Sequence, residues 1–92
     1  MKTIYKYQIE ITDEQSISLP AEAEILSVVA KDDDVFIYAM LDTNALDCKP
    51  RRLAIFGTGN PIPEDYIRFI GTVTTHEGRL VWHIFEVTKY VQ

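Results

Sequence analysis

The chain predicts an all-β fold, a small antiparallel sandwich or barrel of about seven short strands. Three observations carry that expectation. Runs of β-branched and aromatic residues recur along the chain, several alternating with polar ones. Turn-forming clusters separate them about every ten residues. The one stretch with helical propensity, Ala21-Glu22-Ala23-Glu24, is too short to nucleate a helix and reads as a turn.

Residues 4–11 alternate cleanly, with Tyr5, Tyr7, Ile9 and Ile11 on one face and Ile4, Lys6, Gln8 and Glu10 on the other. Thr12-Asp13-Glu14-Gln15 breaks this strand, and Ile17 and Leu19 form a second, ending at Pro20. Residues 25–30 are a β-branched run, read as a central strand. Lys31-Asp32-Asp33-Asp34 is the next turn; it lacks the alternating ligands, glycine and distant glutamate of a calcium loop. Residues 35–41 are apolar on both faces, which predicts a strand covered on both sides. After a polar loop, residues 51–56 form the fifth strand, with Arg51 and Arg52 pointing to opposite faces. Gly57-Thr58-Gly59-Asn60-Pro61-Ile62-Pro63 interrupts the pattern with two glycines and two prolines, and a single turn follows at Pro63-Glu64-Asp65. Residues 66–74 are the sixth strand, and Gly71 inside it marks a bulge or a close backbone approach. Thr75-His76-Glu77-Gly78 is a hairpin turn, and residues 79–87 are the seventh strand.

Composition bounds the function. A length of 92 residues makes one domain, residues 1–92, whose stability is limited by its size. The net charge of −5 argues against binding DNA or RNA through phosphates, since only Arg51-Arg52 is locally basic. No apolar run is long enough to cross a membrane, and the N-terminus alternates where a signal peptide would be continuously apolar. The expectation is a cytoplasmic protein. The single cysteine, Cys48, admits no internal disulfide and reads as an incidental thiol. Four Phe, five Tyr and one Trp exceed what so small a core readily hides, which predicts a homo-oligomer.

Chemistry-bearing residues are few. Gly57-Thr58-Gly59 resembles half of a phosphate-binding loop, but the prolines deny the helix such a loop needs; a tight β turn with one positive φ is the plainer reading. Its alternative is a turn whose bare N–H groups face an anion. Arg51, Arg52 and Arg68 are candidate anion clamps. Tyr5, Tyr7, Tyr38, Tyr66 and Trp82 could stack on a ring, although core packing is their commoner use. His83 and His76 with Cys48 make no recognised metal spacing, and no serine or cysteine nucleophile stands beside His83. The sequence therefore predicts no catalytic residue, no metal and no cofactor.

In combination, Ile4-Tyr5-Lys6-Tyr7, Leu19-Pro20, Ile25-Leu26-Ser27-Val28, Gly57-Thr58-Gly59-Asn60-Pro61-Ile62, Ile70-Gly71-Thr72-Val73 and Leu80-Val81-Trp82-His83-Ile84-Phe85-Glu86 resemble a domain-of-unknown-function family of small proteins encoded by bacteriophages and prophages. Relatives often carry histidine at the position of Asn60. The resemblance implies a phage accessory protein in the host bacterial cytoplasm, a setting that includes counter-defence factors which sequester nucleotide immune signals. The leading expectation is thus a non-enzymatic binder of a small anionic ligand such as a nucleotide. Its site is expected at Arg52, Gly57, Thr58, Gly59, Asn60, Tyr66, Arg68 and Trp82. The alternatives are a protein–protein binder that inhibits a host factor, and a structural virion or assembly protein. A hydrolase is the weakest reading, for want of paired carboxylates, a metal cluster or a nucleophile–base pair.

Overall fold

The computed structural model describes residues 1–63 and 67–88. Its seven strands are β1 (Lys2–Ile9), β2 (Glu14–Pro20), β3 (Glu24–Lys31), β4 (Asp34–Asp42), β5 (Cys48–Gly57), β6 (Ile67–Thr75) and β7 (Leu80–Val87). Every ladder is antiparallel. One sheet runs β1-β4-β3 and the other β2-β5-β7-β6, stacked as a sandwich that does not close into a barrel. The Cα envelope of 40 × 36 × 15 Å suits two layers about 10 Å apart. The described residues contain no helix. The turn expected at Pro63-Glu64-Asp65 lies largely outside the described residues, as does Tyr66.

Alternation builds the core. On β4, Val35, Ile37, Ala39 and Leu41 turn inward and are almost wholly buried. They join Ile9 and Ile25 from their own sheet and Leu19, Leu53, Ile55 and Ile84 from the other. Each fully buried Leu or Ile contributes about 1.5–3 kcal/mol. The other face of β4 departs from expectation. Phe36, Tyr38 and Met40 are half-buried, yet no further layer of the described residues lies over them. Long neighbours shield them instead, as where the Lys6 ammonium sits 4.7 Å from the centre of the Phe36 ring.

The aspartate run has a structural use. Asp32 and Asp33, at φ 51° and 68°, form the two-residue loop of the β3–β4 hairpin. Positive φ at both positions matches the twist of the flanking strands. The Asp33 carboxylate accepts a 2.7 Å hydrogen bond from the backbone N–H of His76. That bond ties this turn to the β6–β7 turn, where His76, Glu77 and Gly78 also have positive φ.

The two sheets meet along one side at β3 and β6. Both strands slip register there, β3 between Ile25 and Ser27 and β6 between Phe69 and Gly71. A Cβ on Gly71 would lie 2.7 Å from Cγ1 of Val28. The glycine thus serves close approach and sits at a bulge, the two roles its place in a strand implied.

Candidate functional site

The turn after β5 starts from Gly57, whose carbonyl accepts a 3.1 Å hydrogen bond from the N–H of Asn60. Gly59 takes the positive φ, 90°. This is the tight turn expected at that place. Gly57 faces Trp82 across the β5–β7 ladder. A Cβ there would lie 3.2 Å from the Asn60 amide nitrogen and 3.6 Å from the Trp82 ring. The bare glycine therefore lets the amide and the indole close over one spot.

That spot is a shallow cavity of about 300 Å³ lined by Gly57, Thr58, Asn60, Arg79 and Trp82, among others. The Trp82 indole N–H donates to the Thr75 hydroxyl at 3.0 Å, which fixes the ring. Arg79 supplies the cation. Its Nε donates to the carbonyl of His76 at 3.1 Å, so the arginine is anchored by its own turn. Sequence reasoning missed Arg79. It directly follows the Thr75-His76-Glu77-Gly78 turn, but only the pairing of Gly57 with Trp82 brings that turn beside the one after β5.

The structure gathers four of the expected site residues, Gly57, Thr58, Asn60 and Trp82, and places Gly59 at the exposed tip of their turn. The two expected arginines lie elsewhere. Arg52 forms an ion pair with Glu14 on the outer face of the four-stranded sheet. Arg68 sits opposite Glu86, four residues along β7 from Trp82 and so about 13 Å away.

At that other end of β7, Glu86 is buried between two guanidinium groups. Arg51 Nε donates to one carboxylate oxygen at 2.5 Å, and Arg68 Nη2 to the other at 3.3 Å. Arg51 Nη1 also donates to the Ala23 carbonyl at 2.7 Å, and Arg68 Nη2 to that of Ile25 at 3.0 Å. The three side chains thus clamp the entry of β3 onto the four-stranded sheet. They line a wider cavity of about 610 Å³ together with Lys49.

On the outer face of that sheet, His83 lies between two hydroxyls. Thr58 Oγ1 is 2.8 Å from Nε2, and Thr72 Oγ1 is 2.9 Å from Nδ1. The Thr58–His83 contact has the reach of a nucleophile and its base, a pairing the sequence did not disclose. The group on Nδ1 is a hydroxyl, however, which lacks the charge that steadies an imidazolium in hydrolytic triads. The arrangement suits a fixed polar strip better than acyl transfer.

Among the described residues, no group of three or more His, Cys, Asp or Glu side chains is placed to hold a metal ion. Cys48 is exposed. Burial, then the nearby Tyr5 and Cys48, holds the Tyr7 phenol above its ordinary value. None of the described residues forms a helix long and apolar enough to cross a membrane. No curated protein and no solved structure matches the chain. A family profile does match, described as a domain of unknown function and designated DUF7352. The match runs from residue 1 to residue 92, and the chain therefore belongs to that family.

Proposed function

We propose that the protein is a non-catalytic binder of a small anionic ligand, held in the cavity between the turn at residues 57–60 and Trp82. The observation that supports this is convergence. One guanidinium, one aromatic plane and a glycine-opened turn meet at a cavity of about 300 Å³. That volume is at the lower end of the range for small-ligand sites. Arg79 takes the role of clamp, by virtue of its place in this cavity. A phosphorylated ligand would meet Arg79 and the turn, with its ring against Trp82. From the resemblance to small phage-encoded proteins, we assign the ligand class as a nucleotide immune signal and the setting as a counter-defence sponge in the host bacterial cytoplasm.

Calorimetry with a panel of cyclic and linear nucleotides tests the reading. One of them should bind the wild type, and Arg79→Ala should weaken it ten- to a hundredfold, since a hydrogen bond to a charged group contributes about 1.5–3 kcal/mol. If no nucleotide binds, the ligand reading fails. A second reading then moves forward, inhibition of a host protein. It is favoured by one feature: Leu46 is 97% exposed beside the acidic Asp42, Asp47 and Glu22.

A further inference from the structure

The outer face of the four-stranded sheet is unlike an ordinary solvated sheet face. Strand alternation and register place Ser16 and Ser18 of β2, Ala54 and Phe56 of β5, Val81, Phe85 and Val87 of β7, and Ile67 and Phe69 of β6 on it. Phe85 packs edge-on against Phe56 at 5.6 Å and against Phe69 at 5.3 Å, so three rings make a band across three strands. Ala54, opposite Phe85, is buried although alternation puts it on this outer face. Beside the rings runs the polar strip Thr58–His83–Thr72. Among the described residues, the only charged side chains that alternation puts on this face are Glu14 and Arg52, which pair with each other.

We propose that this face is the surface through which two copies of the chain pair about a two-fold axis. Charge decides the occupant. Each copy carries −5, so two copies repel unless they meet through a surface without uncompensated charge. The band supplies that surface. The outer face of the other sheet is less suited, because alternation puts Lys2, Lys6, Glu24, Lys31, Asp34 and Asp42 on it, and pairing there would strip water from all six charged groups instead of two. Relief agrees with self-pairing. Phe69 stands 54% exposed, while Phe56, Phe85 and His83 lie lower beside it. A two-fold rotation lays each protruding Phe69 over the recessed part of the facing copy, as an isologous contact requires. Area agrees as well. Four strands of about eight residues span roughly 500 Å² in plan, so two copies hide on the order of the 1,000 Å² that a specific interface needs.

Light scattering and sedimentation of the intact chain test the proposal. The wild type should run at twice the mass of one chain at about 100 µM, within the range of a modest interface. Phe69→Asp should give a single-chain mass with an unchanged circular dichroism spectrum, because the side chain is more than half exposed. Thr72→Arg puts a charge on the same face at another exposed position and should also dissociate the pair, which covers the case where Phe69→Asp does not fold. Ile4→Asp, on the outer face of the other sheet and 53% exposed, should leave the pair intact. A monomeric wild type overturns the proposal and leaves the face to a different protein. So does a pair that survives both charged substitutions on the phenylalanine face, or one that Ile4→Asp dissolves.

Discussion

The two ends of β7 use arginine in opposite ways. At the Glu86 end, Arg51 and Arg68 are bound to a buried carboxylate and to the carbonyls of Ala23 and Ile25. At the Trp82 end, the one partner of the Arg79 side chain among the described residues is the carbonyl of its own turn, and the arginine borders an open cavity. The first arrangement joins two sheets. The second leaves a charge available to something outside the chain. An arginine in a sequence therefore says little about ligands until its partners are known, because the fork that grips phosphate grips a glutamate or a carbonyl equally well.

Removing the buried carboxylate should separate the two ends most clearly. Glu86→Ala strands two guanidinium groups at the junction of β3 with the other sheet, and breaking such a buried network costs about 3 kcal/mol. Thermal unfolding should then shift down by roughly 12–24 °C in a domain of this size. Arg79→Ala should leave the melting temperature nearly unchanged, within about 0.5 kcal/mol, as for surface positions generally. Equal losses in the two variants would erase the distinction.

A smaller effect should follow from crowding the seam next to the clamp. Gly71→Ala drives a methyl to within 2.7 Å of Val28 Cγ1, and overpacking of this kind costs about 1–3 kcal/mol. Val28→Ala in the same chain should recover part of that loss, measured by urea unfolding. If the double variant is as unstable as the sum of the single ones, the strain at the seam has another source.

The smallest effect calibrates what burial adds to the clamp. Asp42 is exposed. The N–H of Asn44, and then the Met1 ammonium at 3.1 Å, hold its carboxyl below the ordinary value. A depressed carboxyl stabilises the fold above its unfolded pKa, and that contribution fades as pH falls through the folded one. Asp42→Asn should therefore remove a small contribution at neutral pH and nothing in acid, so that the acid limb of the stability curve flattens slightly. A loss at neutral pH comparable with that of Glu86→Ala would show that burial is not what sets the clamp apart.

The strands were legible because alternation and β-branching are local. Gly71 was legible too, since a glycine inside a strand pattern points to a bulge or a close approach, and both occur. The turn after β5 read correctly from its glycines. The clamp was not legible. Glu86 reads as one polar residue in an apolar run, and its partners come from two other strands, 35 and 18 positions away. Arg79 was hidden for the same reason, because its neighbours at the cavity depend on which strands pair. Local pattern gives elements, whereas sheet order and register decide which charged groups meet.

The strand order also has a kinetic consequence. Of the five ladders, only β3–β4 and β6–β7 join strands adjacent in sequence. Each of these hairpins can close locally within about 1–10 µs. The β1–β4, β2–β5 and β5–β7 ladders must each draw in a long intervening segment, at an entropic cost met before any contact rewards it. Domains of such topology fold over milliseconds to seconds. The last ladders to settle should include β2–β5, which leaves the β5 edge exposed in the interim and makes β2 the strand another chain could most easily replace.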